Sequence, residues 1–264
     1  MNLLQPTLNA LHTGLLVLAT ALTAALPGAA VAGDFAISPT RIDLHERSRS
    51  AVMMLTNNDA SPVTIQVSGM RWHQRDGSDA TEATSELIVT PVVVTVPPKA
   101  TQMIRVGLRG GVAATEQQRT YRIIIDEVPA APAAGAAAVQ LALRMSVPLF
   151  VEPAGMSLAP SDESLATQVS WTVRRVRTAD GADVARLTAS NSGRHTARFV
   201  SARLERAGAF IGDDLGLIYV LPGAARQIDL PLSAAQAAAL APGAELKLQL
   251  GTVAGQRRVD LTLQ

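Results

Sequence analysis

Residues 138–150 read AVQLALRMSVPLF, the longest clean alternation in the chain. Val139, Leu141, Leu143, Met145 and Val147 fall on one face, and Gln140, Ala142, Arg144 and Ser146 on the other. A period of two describes a β-strand with one apolar face. The pattern alone leaves two readings open. The strand covers the core of its own sheet, as antiparallel strands usually do, or it lies at an edge and offers that face to another chain.

Working outward, the same rhythm recurs. Seven strand candidates precede residue 151, at 35–44 (FAISPTRIDL), 50–56 (SAVMMLT), 62–72 (PVTIQVSGMRW), 87–96 (LIVTPVVVTV), 101–108 (TQMIRVGL), 120–128 (TYRIIIDEV) and 138–150. Asn57-Asn58-Asp59 and Pro97-Pro98-Lys99-Ala100 supply turn chemistry between them. Pro39 cannot donate to a ladder and puts the first strand at an edge or bulge. The polar stretch 73–86 reads as a long excursion. Short strands at this spacing, without helical periodicity, predict an immunoglobulin-like sandwich ending near Pro153. Beyond it, strands are expected at 170–176, 184–190, 198–206, 216–221, 227–232, 245–253 and 257–263, and Ser233 can cap a short helical segment at 234–240. The expected fold class is therefore all-β, with one β-sandwich domain over residues 33–153 and a second over 154–264.

Residues 15–32 (LLVLATALTAALPGAAVA) are apolar and uncharged, broken by Pro27-Gly28 and closed by the small residues Ala30-Val31-Ala32. This is the form of a cleaved export signal over residues 1–32. Thr20, Thr23 and Pro27 interrupt the run, and basic flanks are missing, which argues against a membrane anchor.

Composition excludes several functions. The net charge is +1, from 23 basic and 22 acidic residues, so no general attraction to nucleic acid is expected. Cysteine is absent, which removes disulfides and thiolate metal sites. His45, His73 and His195 are scattered, without the spacing that gathers ligands on one helix face. Phosphate loops, dinucleotide fingerprints and nucleophile elbows are all missing. Asp126 and Glu127 are neighbours on a strand and point to opposite faces, so they cannot act as an acid and base pair. No enzymatic activity, cofactor, metal or small-molecule substrate is expected. Arg41, Arg105, Arg122 and Arg144 each stand within an apolar strand, either as ordinary solvent-facing side chains or as anion anchors, for which the planar guanidinium fork is suited.

Ile37-Ser38-Pro39-Thr40-Arg41-Ile42, Trp72, Val89-Thr90-Pro91, 97–105, 121–129 with its Asp-Glu-Val-Pro ending, and 140–153 together resemble the PapD-like periplasmic chaperones of pilus assembly. Asn191, Gly193, Tyr219 and Gly223 mark a weaker match in the second half. The resemblance implies two immunoglobulin-like domains set at an angle, with a pilus subunit in the cleft. It implies that the last strand of the first domain is lent to a subunit whose own fold lacks one, with Val139, Leu141, Leu143 and Met145 as the donor side chains. Such donor-strand complementation is strand addition with a side-chain code, and burying each donor leucine or valine contributes about 1.5–3 kcal/mol.

The family also clamps the subunit's C-terminal carboxylate with two basic residues. The first matches Arg41. The second, commonly lysine, falls at Pro148, a departure that resembles the archaic or spore-coat-type branch. Arg122 is then the expected second anchor, because Arg144 shares its face with Gln140. Glu152 stands where other members carry a basic residue of an interdomain salt bridge, and the short loop after Pro129 resembles the short-loop type.

The implied function is a periplasmic chaperone that stabilises pilus or fimbrial subunits and delivers them to an outer-membrane usher. The implied partners are pilin-like subunits, the usher and a self-capping dimer that hides the apolar edge. The alternative is a secreted immunoglobulin-like structural or carbohydrate-binding adhesion module. It is disfavoured by the missing cysteine pair of common pilus subunits and by an aromatic content of 3%, with Trp72, Trp171, Tyr121 and Tyr219 as the rings available for sugar stacking.

Overall fold

The computed structural model describes residues 34–129, 141–155 and 161–264. The expected signal segment 1–32 and the donor residue Val139 lie outside the described residues. The first half runs through β1 (Phe35–Ser38), β2 (Ile42–Leu44), β3 (Ser50–Asn57), β4 (Val63–Arg75), β5 (Ser78–Ala83), β6 (Leu87–Thr90), β7 (Val93–Val96), β8 (Thr101–Leu108), β9 (Arg119–Val128) and β10 (Arg144–Val151). One sheet has the order β1-β3-β8-β6; the other has β2-β10-β9-β4-β5, with β7 also on β4. Alternate residues of both sheets meet in one core that includes Met53, Leu55, Ile104, Val106, Ile65, Ile123, Ile125 and Leu149.

Three expectations are corrected here. Residues 35–44 are two strands in different sheets, and so are 87–96, because the chain crosses between sheets at Pro39 and Pro91, each preceded by a cis peptide bond. A proline has no N–H with which to continue either ladder. The stretch 73–86 is largely a hairpin, since β4 continues to Arg75 and pairs back with β5. Asp76 and Gly77 both have positive φ, the geometry that a two-residue Asp-Gly turn supplies. Finally, β10 begins at Arg144, so Leu141 and Leu143 precede the strand, although the Leu143 carbonyl still accepts a 2.9 Å hydrogen bond from Glu127 N.

The second half contains α1 (Asp162–Ala166), β11 (Val169–Arg177), β12 (Asp183–Asn191), β13 (Ala197–Phe199), β14 (Ser201–Arg206), β15 (Ala209–Ile211), β16 (Ile218–Val220), β17 (Ala225–Pro231), α2 (Ala234–Ala239), β18 (Glu245–Gly251) and β19 (Gln256–Thr262). Sheets β11-β12-β17 and β15-β14-β18-β19, with the β13-β16 pair, enclose a second core. Trp171 meets Phe199 edge-on in it, with centroids 5.4 Å apart. The segment expected as one strand at 198–206 divides between two partners, β13 pairing β16 and β14 pairing β18. Ser233 and Gln236 form a reciprocal capping box at the start of α2.

The two halves share a device that residue identity along the chain does not reveal. Asn57 ends β3 with its buried amide donating to Ser61, Val96 and Pro97 carbonyls, while its oxygen accepts from Asp59 N. Asn191 ends β12 and donates to His195 and Val220 carbonyls while accepting from Gly193 N. Each asparagine satisfies loop backbone that would otherwise be buried unpaired.

At one end of the first core, Glu86 accepts from Arg71, Arg119 and the Tyr121 hydroxyl, tying the start of β6 to β4 and β9. Burial pushes the Tyr121 hydroxyl up to about 12, reinforced by its hydrogen bond to Glu86. Burial alone would raise the Glu86 carboxyl, but the Tyr121 hydrogen bond and the Arg71 and Arg119 charges more than offset it and hold Glu86 below its ordinary value of 4.5. A depressed carboxyl contributes stability above its unfolded-state pKa, and that contribution is lost as pH falls through the folded value. Urea unfolding between pH 7 and pH 3 is therefore expected to show a smaller acid loss in Glu86→Gln than in the unaltered chain.

Candidate functional site

The outer face of the β2-β10-β9-β4 sheet carries the candidate site. Pro148 of β10 lies opposite Arg122 of β9, which lies opposite Met70 of β4. On the other side of β10, Leu149 pairs with Ile42, so Arg41 sits one residue earlier, level with Pro148. Arg41, Pro148 and Arg122 thus form one row across the entry to β2, β10 and β9. Two strand spacings separate the arginine backbones by roughly 10 Å, a gap that two long side chains on the same face can close.

Both guanidinium groups lie on one aromatic cluster. Trp72 and Phe150 are fully buried, and their centroids lie 5.4 and 6.0 Å from Tyr219 of the second half. Arg122 stacks over Trp72 at 3.6 Å and stands 5.6 Å from Tyr219, while Arg41 stands 4.7 Å over Phe150. Stacking of this kind replaces part of the lost hydration of a cation. It does not neutralise the charge. Arg122 has no ion-pair partner among the described residues, and burial pushes its guanidinium below the ordinary value, opposed by Asp79 and Tyr219. A desolvated cation without an anion in a cleft is a candidate binding group.

Of the other strand arginines, Arg144 pairs with Asp126 and remains exposed, and Arg105 lies on the solvent face of β8. The remaining donor residues divide. Leu141 is exposed, whereas Leu143 and Met145 pack partly against their own core. On one side β10 pairs with β9 from Arg144 to Val151, and on the other β2 covers Leu149 to Val151 alone. Among the described residues, the edge from Arg144 to Pro148 carries no neighbouring strand, and it ends at Arg41.

Residues 34–157 match the family described as pili and flagellar-assembly chaperone, PapD N-terminal domain. That match spans just under half of the chain. Solved structures similar to the whole fold are likewise chaperones. The Acinetobacter baumannii CsuC–CsuE chaperone–tip subunit pre-assembly complex from archaic chaperone-usher Csu pili aligns with TM-score 0.62 and 20% identity, covering 88% of this chain and 99% of the other. The Salmonella enterica SafB chaperone–SafA pilin complex aligns at 0.58 and 19%, covering 90% and 100%. The Pseudomonas aeruginosa CupB2 chaperone aligns at 0.56 and 18%, covering 87% and 100%. A comparison with curated protein sequences finds no match.

Besides the aromatic cluster, polar contacts join the first half to the second at several points among the described residues. Gln74 donates to the Tyr219 carbonyl at 2.8 Å and accepts from Leu221 N at 3.0 Å. The β4–β5 turn reaches further, with the Gly77 carbonyl accepting from Gln227 N at 2.8 Å and Asp79 lying 3.5 Å from Arg226. The third contact is buried. Gln118 donates to Glu152, accepts from Thr196 N at 3.0 Å and donates its own N–H to the Arg194 carbonyl.

Beside it, His195 Nε2 lies 3.1 Å from Glu152 Oε2, within ion-pair range but not aligned for a hydrogen bond. Glu152 thus accepts from Gln118 of the first half and lies within ion-pair range of His195 of the second. Sequence reading left this joint unassigned because Gln118 and His195 are 77 positions apart and neither belongs to a motif. Glu152→Ala strands the buried Gln118 amide, and a loss of about 1–3 kcal/mol is expected in urea unfolding, with Glu152→Gln, which keeps one acceptor, losing less.

Proposed function

We propose that the protein is a periplasmic chaperone that holds pilin-like subunits by strand addition along β10 and passes them to an outer-membrane usher. The row of Arg41, Pro148 and Arg122 carries this reading. It offers two guanidinium groups to one carboxylate at the end of an uncovered strand edge, while Pro148 occupies the position at which much of the family has its lysine. The second charge comes from the neighbouring strand instead. Arg122 supplies it from β9, level with Pro148.

The direction of the guest strand follows from the same geometry. A strand along the edge from Arg144 to Pro148 with its C-terminal carboxylate at Arg41 runs parallel to β10, in line with β2. Its backbone takes the free ladder positions, and Val139, Leu141, Leu143 and Met145 supply the donor side chains. The same edge would serve a self-capping dimer, which then competes with the subunit. The role is non-catalytic and uses no cofactor or metal. The carbohydrate-binding alternative loses support because Trp72, Tyr121 and Trp171 are buried and Tyr219 packs into the interdomain cluster.

Co-expression with a pilin-like subunit followed by affinity capture tests the proposal. Arg41→Ala and Arg122→Ala are each expected to weaken the complex by about 2 kcal/mol or more, the usual loss when one partner of a buried hydrogen-bonded charge pair is removed. Undiminished recovery from either variant would remove that residue from the anchor.

A further inference from the structure

Arg41 is not waiting with an open fork. Its Nε lies 2.8 and 3.1 Å from the two Asp43 oxygens, and its Nη2 lies 2.8 Å from Oδ1, a side-on bidentate pair. Asp43 lies in β2 and Arg41 just before it, two positions apart, and Asp43 lies opposite Phe150, the ring that Arg41 covers. Asp43 is exposed at 47% of its side chain, against 28% for Arg41. The anchoring arginine already holds a carboxylate of the same chemistry as a peptide terminus.

We propose that Asp43 is a resident competitor for the anchor, a carboxylate that an incoming C-terminal carboxylate must displace from the Nε–Nη2 edge of Arg41 or crowd against. The inference rests on the reading of Arg41 as the subunit anchor. Its chemistry is exchange of one carboxylate for another on a fixed guanidinium, without covalent change. An exposed ion pair is worth little, so Asp43 yields readily to a partner that also brings backbone hydrogen bonds and apolar side chains. When the guest strand leaves, Asp43 recloses on Arg41. The departing carboxylate then faces an occupied site and a like charge a few ångströms away. The device lowers affinity and favours release, as a chaperone that must hand over its cargo requires. Arg122 has no resident carboxylate among the described residues, so the two anchor arginines differ in how tightly their charge is already claimed.

The test uses the full mature chain and a synthetic ten-residue peptide of alternating valine and threonine, prepared with a free C-terminal carboxylate and as the C-terminal amide. The unaltered protein is expected to prefer the acid. Asp43→Asn and Asp43→Ala are expected to bind the acid form about three- to tenfold more tightly, from the lost competition and like-charge repulsion, with little change for the amide. Unchanged or weaker acid binding in both variants, while Arg41→Ala still abolishes the preference for acid over amide, would overturn the competitor role and leave the anchor standing. A preference that survives Arg41→Ala, or no preference in the unaltered protein, would overturn the anchor and this inference together.

Discussion

The arrangement depends on one packing contact, the closure of Tyr219 from the second half onto Trp72 and Phe150 of the first. Trp72 and Tyr219 meet edge-on, with planes 82° apart, while Phe150 is tilted against both. This mixture of geometries suits ring quadrupoles and locks orientation more tightly than aliphatic contact would. The contact buries Trp72 and Phe150, while Arg41 and Arg122 over them stay partly exposed. It also provides the surfaces on which Arg41 and Arg122 rest, so domain packing and cleft electrostatics share a single cluster.

Around that cluster the joint is polar and specific. Gln74 and Gln118 each bridge backbone of the opposite half, and Glu152 accepts from Gln118 beside His195. Such groups contribute modest net stability when satisfied and cost much more when stranded. Their effect is to penalise other relative orientations of the two halves, whose apolar contacts alone would tolerate sliding. The joint is therefore held chiefly by the Gln74 and Gln118 amides, which are paired across it, and the row of Arg41, Pro148 and Arg122 lies beside them.

Much of the fold was legible along the chain. Period-two alternation and turn clusters located most strands of both halves, because those signals are local. The misreadings were local too, and each had a signal. Pro39 and Pro91 mark the points where single strands become two, and Asp76-Gly77 is a hairpin turn inside what looked like an excursion. The shared role of Asn57 and Asn191 escaped notice because one asparagine in a polar turn looks like any other until its carbonyl partners are placed. The candidate site was legible in part. Arg41 and Arg122 were singled out as arginines in apolar strands and through a family resemblance, whereas no motif or pattern pointed to Asp43.

By itself the sequence determined the all-β class, the alternation that gives β10 its apolar face, the absence of thiol chemistry and the identity of the charges in the strands. Those properties depend on residue type and on spacings of a few residues. The tertiary structure alone decided that Arg41 and Arg122 stand level with Pro148, that Glu152 faces His195 and that Asp43 occupies the fork of Arg41. Register between strands far apart in sequence sets the first two, and no local pattern encodes it. The third depends on the side-chain geometry of a pair only two residues apart, with Arg41 laid over Phe150.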